Sequence, residues 1–155
     1  MAIVEGKPSP EFTLKNQNGE DVSLSDFKGK NIVVYFYPKD NTPGCTKEAI
    51  GFRDLWEEYE KANTVVLGIS PDSPKSHVGF IEKQNLPFIL LSDPEKEVMT
   101  QYGAYGEKMM YGKKTIGTIR STVLIGTDGN VIKHWRKVPK AADHPAKVLE
   151  IIQKS

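Results

Sequence analysis

Cysteine is nearly absent from this chain: its 155 residues include one, Cys45. A lone thiol excludes any disulfide framework within the chain and fits a reducing compartment. Histidine is scarce too. His77, His134 and His144 lack a carboxylate or second histidine at ligand spacing, so surface positions and no metal are expected. No apolar run approaches the ~20 residues needed to cross a bilayer. Met1-Ala2-Ile3-Val4 is followed at once by Glu5 and Lys7, which leaves no signal-peptide core. Charge of one sign is also missing: 21 Lys and Arg against 20 Asp and Glu leave a formal +1. That balance argues against nucleic acid or acidic membranes as partners. No Gly-rich phosphate or dinucleotide loop follows a strand, so no cofactor is expected. No linker or repeat divides the chain, which reads as one cytoplasmic domain over 1–155.

What is present concentrates around that cysteine. The stretch Ile32-Val33-Val34-Tyr35-Phe36-Tyr37 reads as a buried strand and runs into Pro38-Lys39-Asp40-Asn41-Thr42-Pro43-Gly44-Cys45-Thr46. A helical stretch from Thr46 to Lys61 follows. Thr42 suits an N-cap, and Pro43 suits the first helical position, where a missing N–H costs nothing. Cys45 then falls in the first turn, against unpaired N–H groups and the positive end of the helix dipole. Both favour thiolate over thiol. Gly44 allows close approach of a small ligand, and the Thr42 hydroxyl is available to an anion or a peroxide oxygen. The plainer reading of a lone cysteine is a buried structural thiol, and the flanking Thr, Pro and Gly weigh against it.

Elsewhere the chain alternates strands and helices. Phe12-Thr13-Leu14 and Val22-Ser23-Leu24 flank an Asn18-Gly19 hairpin turn. Strands are expected at 64–70, 88–91, 121–126 and 131–135, the last two as a hairpin around Asp128-Gly129. Helices are expected at 74–84, 95–102 and 142–154. This order is a three-layer α/β pattern. The segment 103–117, with Met109, Met110 and Tyr111 but no clean period, reads as a mobile surface loop. Its Met-Met-Tyr cluster reads as packing rather than a substrate site.

Pro38-x-x-x-Thr42-x-x-Cys45 resembles the active-site signature of the peroxiredoxins, the thiol peroxidases. The longer string from Phe36 to Ala49 is similar to their bacterioferritin-comigratory, or Q-type, subfamily. So are Gly68-Ile69-Ser70-Pro71-Asp72-Ser73, Leu91-Ser92-Asp93, Gly106-Glu107-Lys108 and Ile119-Arg120-Ser121-Thr122. The resemblance spans nearly the whole chain. It implies a thioredoxin-like fold, a mixed sheet flanked by helices with an N-terminal β-hairpin extension. It implies reduction of hydrogen peroxide and alkyl hydroperoxides through Cys45. It also makes Arg120 the fixed cation of the site, has Glu48 orient that arginine, and sets Pro38 as a shield for the thiolate. A monomer is implied as well.

One departure matters. Many members of the subfamily carry a second cysteine five residues after the first, and here that position is Ile50. The oxidised thiol would therefore be recycled by thioredoxin, glutaredoxin or a small thiol. A glutathione-peroxidase-type enzyme is disfavoured because its glutamine and tryptophan motifs are missing. A Cys-His hydrolase is disfavoured because no histidine lies in a partner motif. The remaining rival is a redox sensor or chaperone-like module in which Cys45 is oxidised once, without turnover.

Overall fold

The computed structural model describes residues 3–154. The Met1-Ala2 start read above lies outside them, as does the side chain of Met110. In chain order the strands are β1 (Thr13–Asn16), β2 (Asp21–Ser23), β3 (Asn31–Phe36), β4 (Thr64–Ser70), β5 (Ile89–Ser92), β6 (Tyr105–Met110), β7 (Lys113–Thr118), β8 (Ser121–Ile125) and β9 (Val131–Trp135). The α-helices are α1 (Pro43–Asp54), α2 (Trp56–Lys61), α3 (Pro74–Gln84), α4 (Glu97–Gln101) and α5 (His144–Lys154).

Seven strands form one mixed sheet in the order β2-β1-β5-β4-β3-β8-β9, parallel across β5, β4 and β3 and antiparallel toward both edges. β3 is buried along nearly its whole length because both its faces are covered. Successive side chains alternate between the faces. Ile32, Val34 and Phe36 join Leu67, Ile69, Met99 and Tyr102 on one side. Val33, Tyr35 and Tyr37 join Cys45, Phe52, Phe80 and Val148 on the other, under α1, α3 and α5. This is the expected thioredoxin-like architecture, with the β1–β2 hairpin added at the sheet edge.

Three expectations need correction. The helix read as continuous from Thr46 to Lys61 breaks at Leu55, and α2 restarts with Glu57 and Glu58 in its first turn, where acidic groups suit the dipole. The segment read as a mobile loop is an antiparallel hairpin of β6 and β7, paired from Tyr105↔Thr118 to Met110↔Lys113. Tyr111 (φ 52) and Gly112 (φ 79) make its two-residue turn, both in the left-handed region that such turns demand. Packing does not explain its apolar tip, for Met109 is 65% and Tyr111 98% exposed. Among the described residues, no helix is long and apolar enough to cross a membrane.

Candidate active site

β3 ends at Phe36, and the chain turns through Pro38–Thr42 into α1. Thr42 is the N-cap (φ −88, ψ 155) and Pro43 the first helical residue, so Cys45 is the third residue of the helix. Its sulfur is almost fully enclosed, with the residue 1% exposed. Glu48 follows one turn later on the same face and is also buried.

Sheet register brings in the distant cation. β8 runs antiparallel beside β3 with Phe36 opposite Ser121, so the residue before Ser121 arrives where β3 hands over to α1. That residue is Arg120. One of its terminal nitrogens donates to Cys45 Sγ at 3.2 Å and the other to Glu48 Oε1 at 2.8 Å. Gly44 makes room for this approach, since a Cβ there would lie 3.1 Å from Arg120 Nη2. Burial alone would weaken the Arg120 charge. Glu48 and then Cys45 outweigh that and hold the guanidinium above its usual range. Burial pushes the Glu48 carboxyl up from 4.5 to about 7, against the pull of Arg120. Its Oε2 is buried without a hydrogen-bond partner.

The Thr42 hydroxyl does not cap the helix. It donates to Lys39 O at 2.7 Å, which leaves its lone pairs free to accept. A peroxide O–H is therefore a better match for Thr42 than an anion. Pro38 is half-buried and lines a cleft of about 410 Å³ with Lys96, Tyr105, Lys108 and Ile116. Lys108 donates to Thr118 O at 2.6 Å and is held below its usual range, by partial burial first and by Arg120 second. A larger cavity, of about 750 Å³, lies near Asn31, Asn63 and Asp128 at the opposite end of β3. Size does not locate the chemistry here. The converging charges do.

The structure thus gathers Cys45, Arg120 and Glu48 by direct contact and sets Thr42 and Pro38 on the turn beside them. It also corrects the histidines. His77 is fully buried, with Nδ1 2.7 Å from Asp40 Oδ2 and Nε2 3.0 Å from Leu91 O. His144 is buried against Thr122 Oγ1 at 2.8 Å and edge-on to Trp135. His134 is half-buried. Asp40, Asp72 and His77 bring donor atoms within 4.8 Å of one another, a spacing a metal could use. Hydroxyl, amide and imidazole groups of the chain already engage those atoms. Sequence reasoning missed this cluster because Asp40 lies 32 and 37 residues from its other two members.

Comparison with known proteins gives the family. Residues 6–134 match the AhpC/TSA family. The chain belongs to the peroxiredoxins of that family. It is 52% identical over 149 residues to a Coxiella burnetii protein named putative peroxiredoxin bcp, covering 96% of this chain and 98% of the relative. It is 48% identical over 153 residues to peroxiredoxin Bcp of Bacillus subtilis, covering 99% and 97%. The solved bacterioferritin comigratory protein of Xanthomonas campestris superposes with a TM-score of 0.86 at 40% identity, covering 92% of this chain and 90% of that one. That structure concerns the alkyl peroxide reduction activity of the Xanthomonas protein. Peroxiredoxins are thiol-dependent peroxidases, and this peroxiredoxin keeps one cysteine on the thioredoxin-like fold its relatives share.

Proposed function

We propose that Cys45 is the peroxidatic thiol, reducing hydrogen peroxide and alkyl hydroperoxides with Arg120, Thr42, Pro38 and Glu48 around it. The observation that carries this is the Arg120 fork, which holds Cys45 Sγ and Glu48 Oε1 at once. The thiolate attacks the terminal oxygen of ROOH. An S–O bond forms as the O–O bond breaks, and RO⁻ leaves and takes a proton from water. Cys45 becomes a sulfenic acid. Arg120 stabilises the thiolate and the charge spreading over both oxygens. Thr42 accepts from the peroxide O–H and fixes its orientation, Pro38 limits water, and Glu48 aims the guanidinium. An outside thiol then condenses with the sulfenic acid, releasing water, and a second thiol displaces Cys45 as thiol, leaving the reductant oxidised. Thioredoxin, glutaredoxin or a small thiol fills that role, because the chain carries no second sulfhydryl. The enzyme works as a cytoplasmic monomer built from one domain.

The deciding experiment supplies each peroxide with thioredoxin, glutaredoxin or dithiothreitol and counts peroxides consumed per chain. Many turnovers in the wild type and none in Cys45→Ser support the reading. A single oxidation per chain with every reductant would instead make Cys45 a stoichiometric sensor.

A further inference from the structure

Asp40 sits in the middle of the turn that delivers Thr42 and Cys45, and it is held more thoroughly than any role yet described requires. Its Oδ1 accepts from the Tyr37 hydroxyl at 2.6 Å, and its Oδ2 from the Ser76 hydroxyl at 2.8 Å. His77 Nδ1 meets the same Oδ2 at 2.7 Å. Its backbone N–H donates to Asp72 Oδ2 at 2.7 Å, and that oxygen also takes the Ser70 hydroxyl at 2.8 Å. Side chain and main chain are both clamped.

The proton count follows from the partners. A backbone carbonyl only accepts, so His77 Nε2 carries a hydrogen toward Leu91 O. A nitrogen 2.7 Å from a carboxylate oxygen needs a second proton between them. Asp40 also receives two hydroxyl donors. His77 and Asp40 thus form a hydrogen-bonded pair with side chains 0% and 1% exposed. A bare pair at such depth is costly to bury. One whose lone pairs and protons all find partners holds a fixed geometry.

What it fixes is the turn. Asn41, next in the chain, is left-handed (φ 63), a conformation that asparagine adopts more readily than other side chains. Thr42 Oγ1 back to Lys39 O closes the same turn. We propose that the His77–Asp40 pair, braced by Asp72, is a positioning device that holds Pro38 and Thr42 in register over Cys45. The proposal rests on Cys45 being the peroxidatic thiol. His77 never touches the peroxide and acts through Asp40. Displacement of a reacting geometry by ~1 Å costs on the order of 10²-fold in rate, whereas α1 itself stays anchored by Ala49 and Phe52.

Two substitutions separate positioning from packing. His77→Asn places an amide donor where Nδ1 stood and keeps the contact to Asp40. His77→Gln reaches toward Leu91 O and gives up Asp40. Stopped-flow tryptophan fluorescence follows oxidation by hydrogen peroxide, mass spectrometry assigns the sulfenic acid to Cys45, and each variant's Tm is recorded. The expected result is an Asn variant within about 3-fold of wild type and a Gln variant about 10- to 100-fold slower, at comparable Tm. Equal rates in both, or slowing that merely follows lost Tm, overturns the proposal. Where a His77 variant does not fold, Asp72→Ala releases the same turn from its half-buried side. It should slow oxidation at least 5-fold, and an unchanged rate overturns the proposal. A wild-type Cys45 that peroxide leaves unoxidised overturns the peroxidatic reading itself. A reactive wild type with indifferent variants overturns the positioning role alone.

Discussion

Two buried charge clusters flank the turn after β3, and they are finished differently. Around Asp40 and His77, the carboxylate and both imidazole nitrogens are engaged. Around Cys45, Arg120 reaches the sulfur and one oxygen of Glu48, while Glu48 Oε2 has no partner. The first cluster has nothing left to react with, which suits a clamp. The second retains unspent capacity, namely an enclosed sulfur, a cation pulled two ways and an orphaned carboxylate oxygen, which suits a site that must accept another molecule.

That contrast is open to attack at several points. Asp40→Ala leaves the Tyr37 and Ser76 hydroxyls and His77 Nδ1 without their buried partner, so it should cost about 3–5 kcal/mol of stability, read as a lower denaturation midpoint in urea. Arg120→Lys offers one point charge in place of a fork and cannot serve Sγ and Oε1 together. It should slow Cys45 oxidation about 10²- to 10³-fold while the denaturation midpoint shifts little. The opposite pattern for either variant would erase the distinction between the clusters.

Glu48 supplies a pH test. Burial raises its carboxyl from 4.5 to about 7, so between those values the folded chain holds a proton that the unfolded chain has released. The stability this contributes is present below pH 4.5, declines as pH rises toward 7 and is gone above it. Glu48→Gln removes that slope. Its stability relative to wild type should improve by up to about 3 kcal/mol across this window, measured by urea unfolding at pH 5, 6, 7 and 8. A parallel profile for the two proteins would show that Glu48 is not strained by burial. The smallest effect belongs to Ser76→Ala, which deprives Asp40 of one donor among three. A loss of about 1 kcal/mol is expected.

The sequence made the local chemistry legible and left the long-range chemistry mostly hidden. Thr42, Pro43 and Cys45 could be placed on a helix start from residue type alone, and the structure puts them there. The strand at 64–70 and the helix at 74–84 were equally plain, since a continuous apolar run and a Ser-Pro start are strong local signals. Arg120 came only through family resemblance, because its approach to Cys45 depends on β8 pairing with β3, a contact 75 residues apart. His77 was misplaced for the same reason. Its polarity suggested solvent, and nothing nearby in sequence announced Asp40 as a partner. The β6–β7 hairpin was missed because it buries no continuous face. With Met109, Tyr111 and Ile116 exposed, the alternation that normally betrays a strand is blurred.

The position of Ile50 carries a kinetic consequence. Five residues along a helix rise about 7.5 Å, beyond the ~7 Å Cα separation that a disulfide tolerates. A cysteine at that place would have to unravel α1 to reach Cys45. This chain never faces that demand, so α1 beyond its first turn can stay wound. Repair by an outside thiol would then wait on a visitor reaching a residue that is 1% exposed. At low reductant, encounter would set the pace. At high reductant the pace would plateau at the frequency with which the first helical turn breathes open, making that local opening the clock of the enzyme.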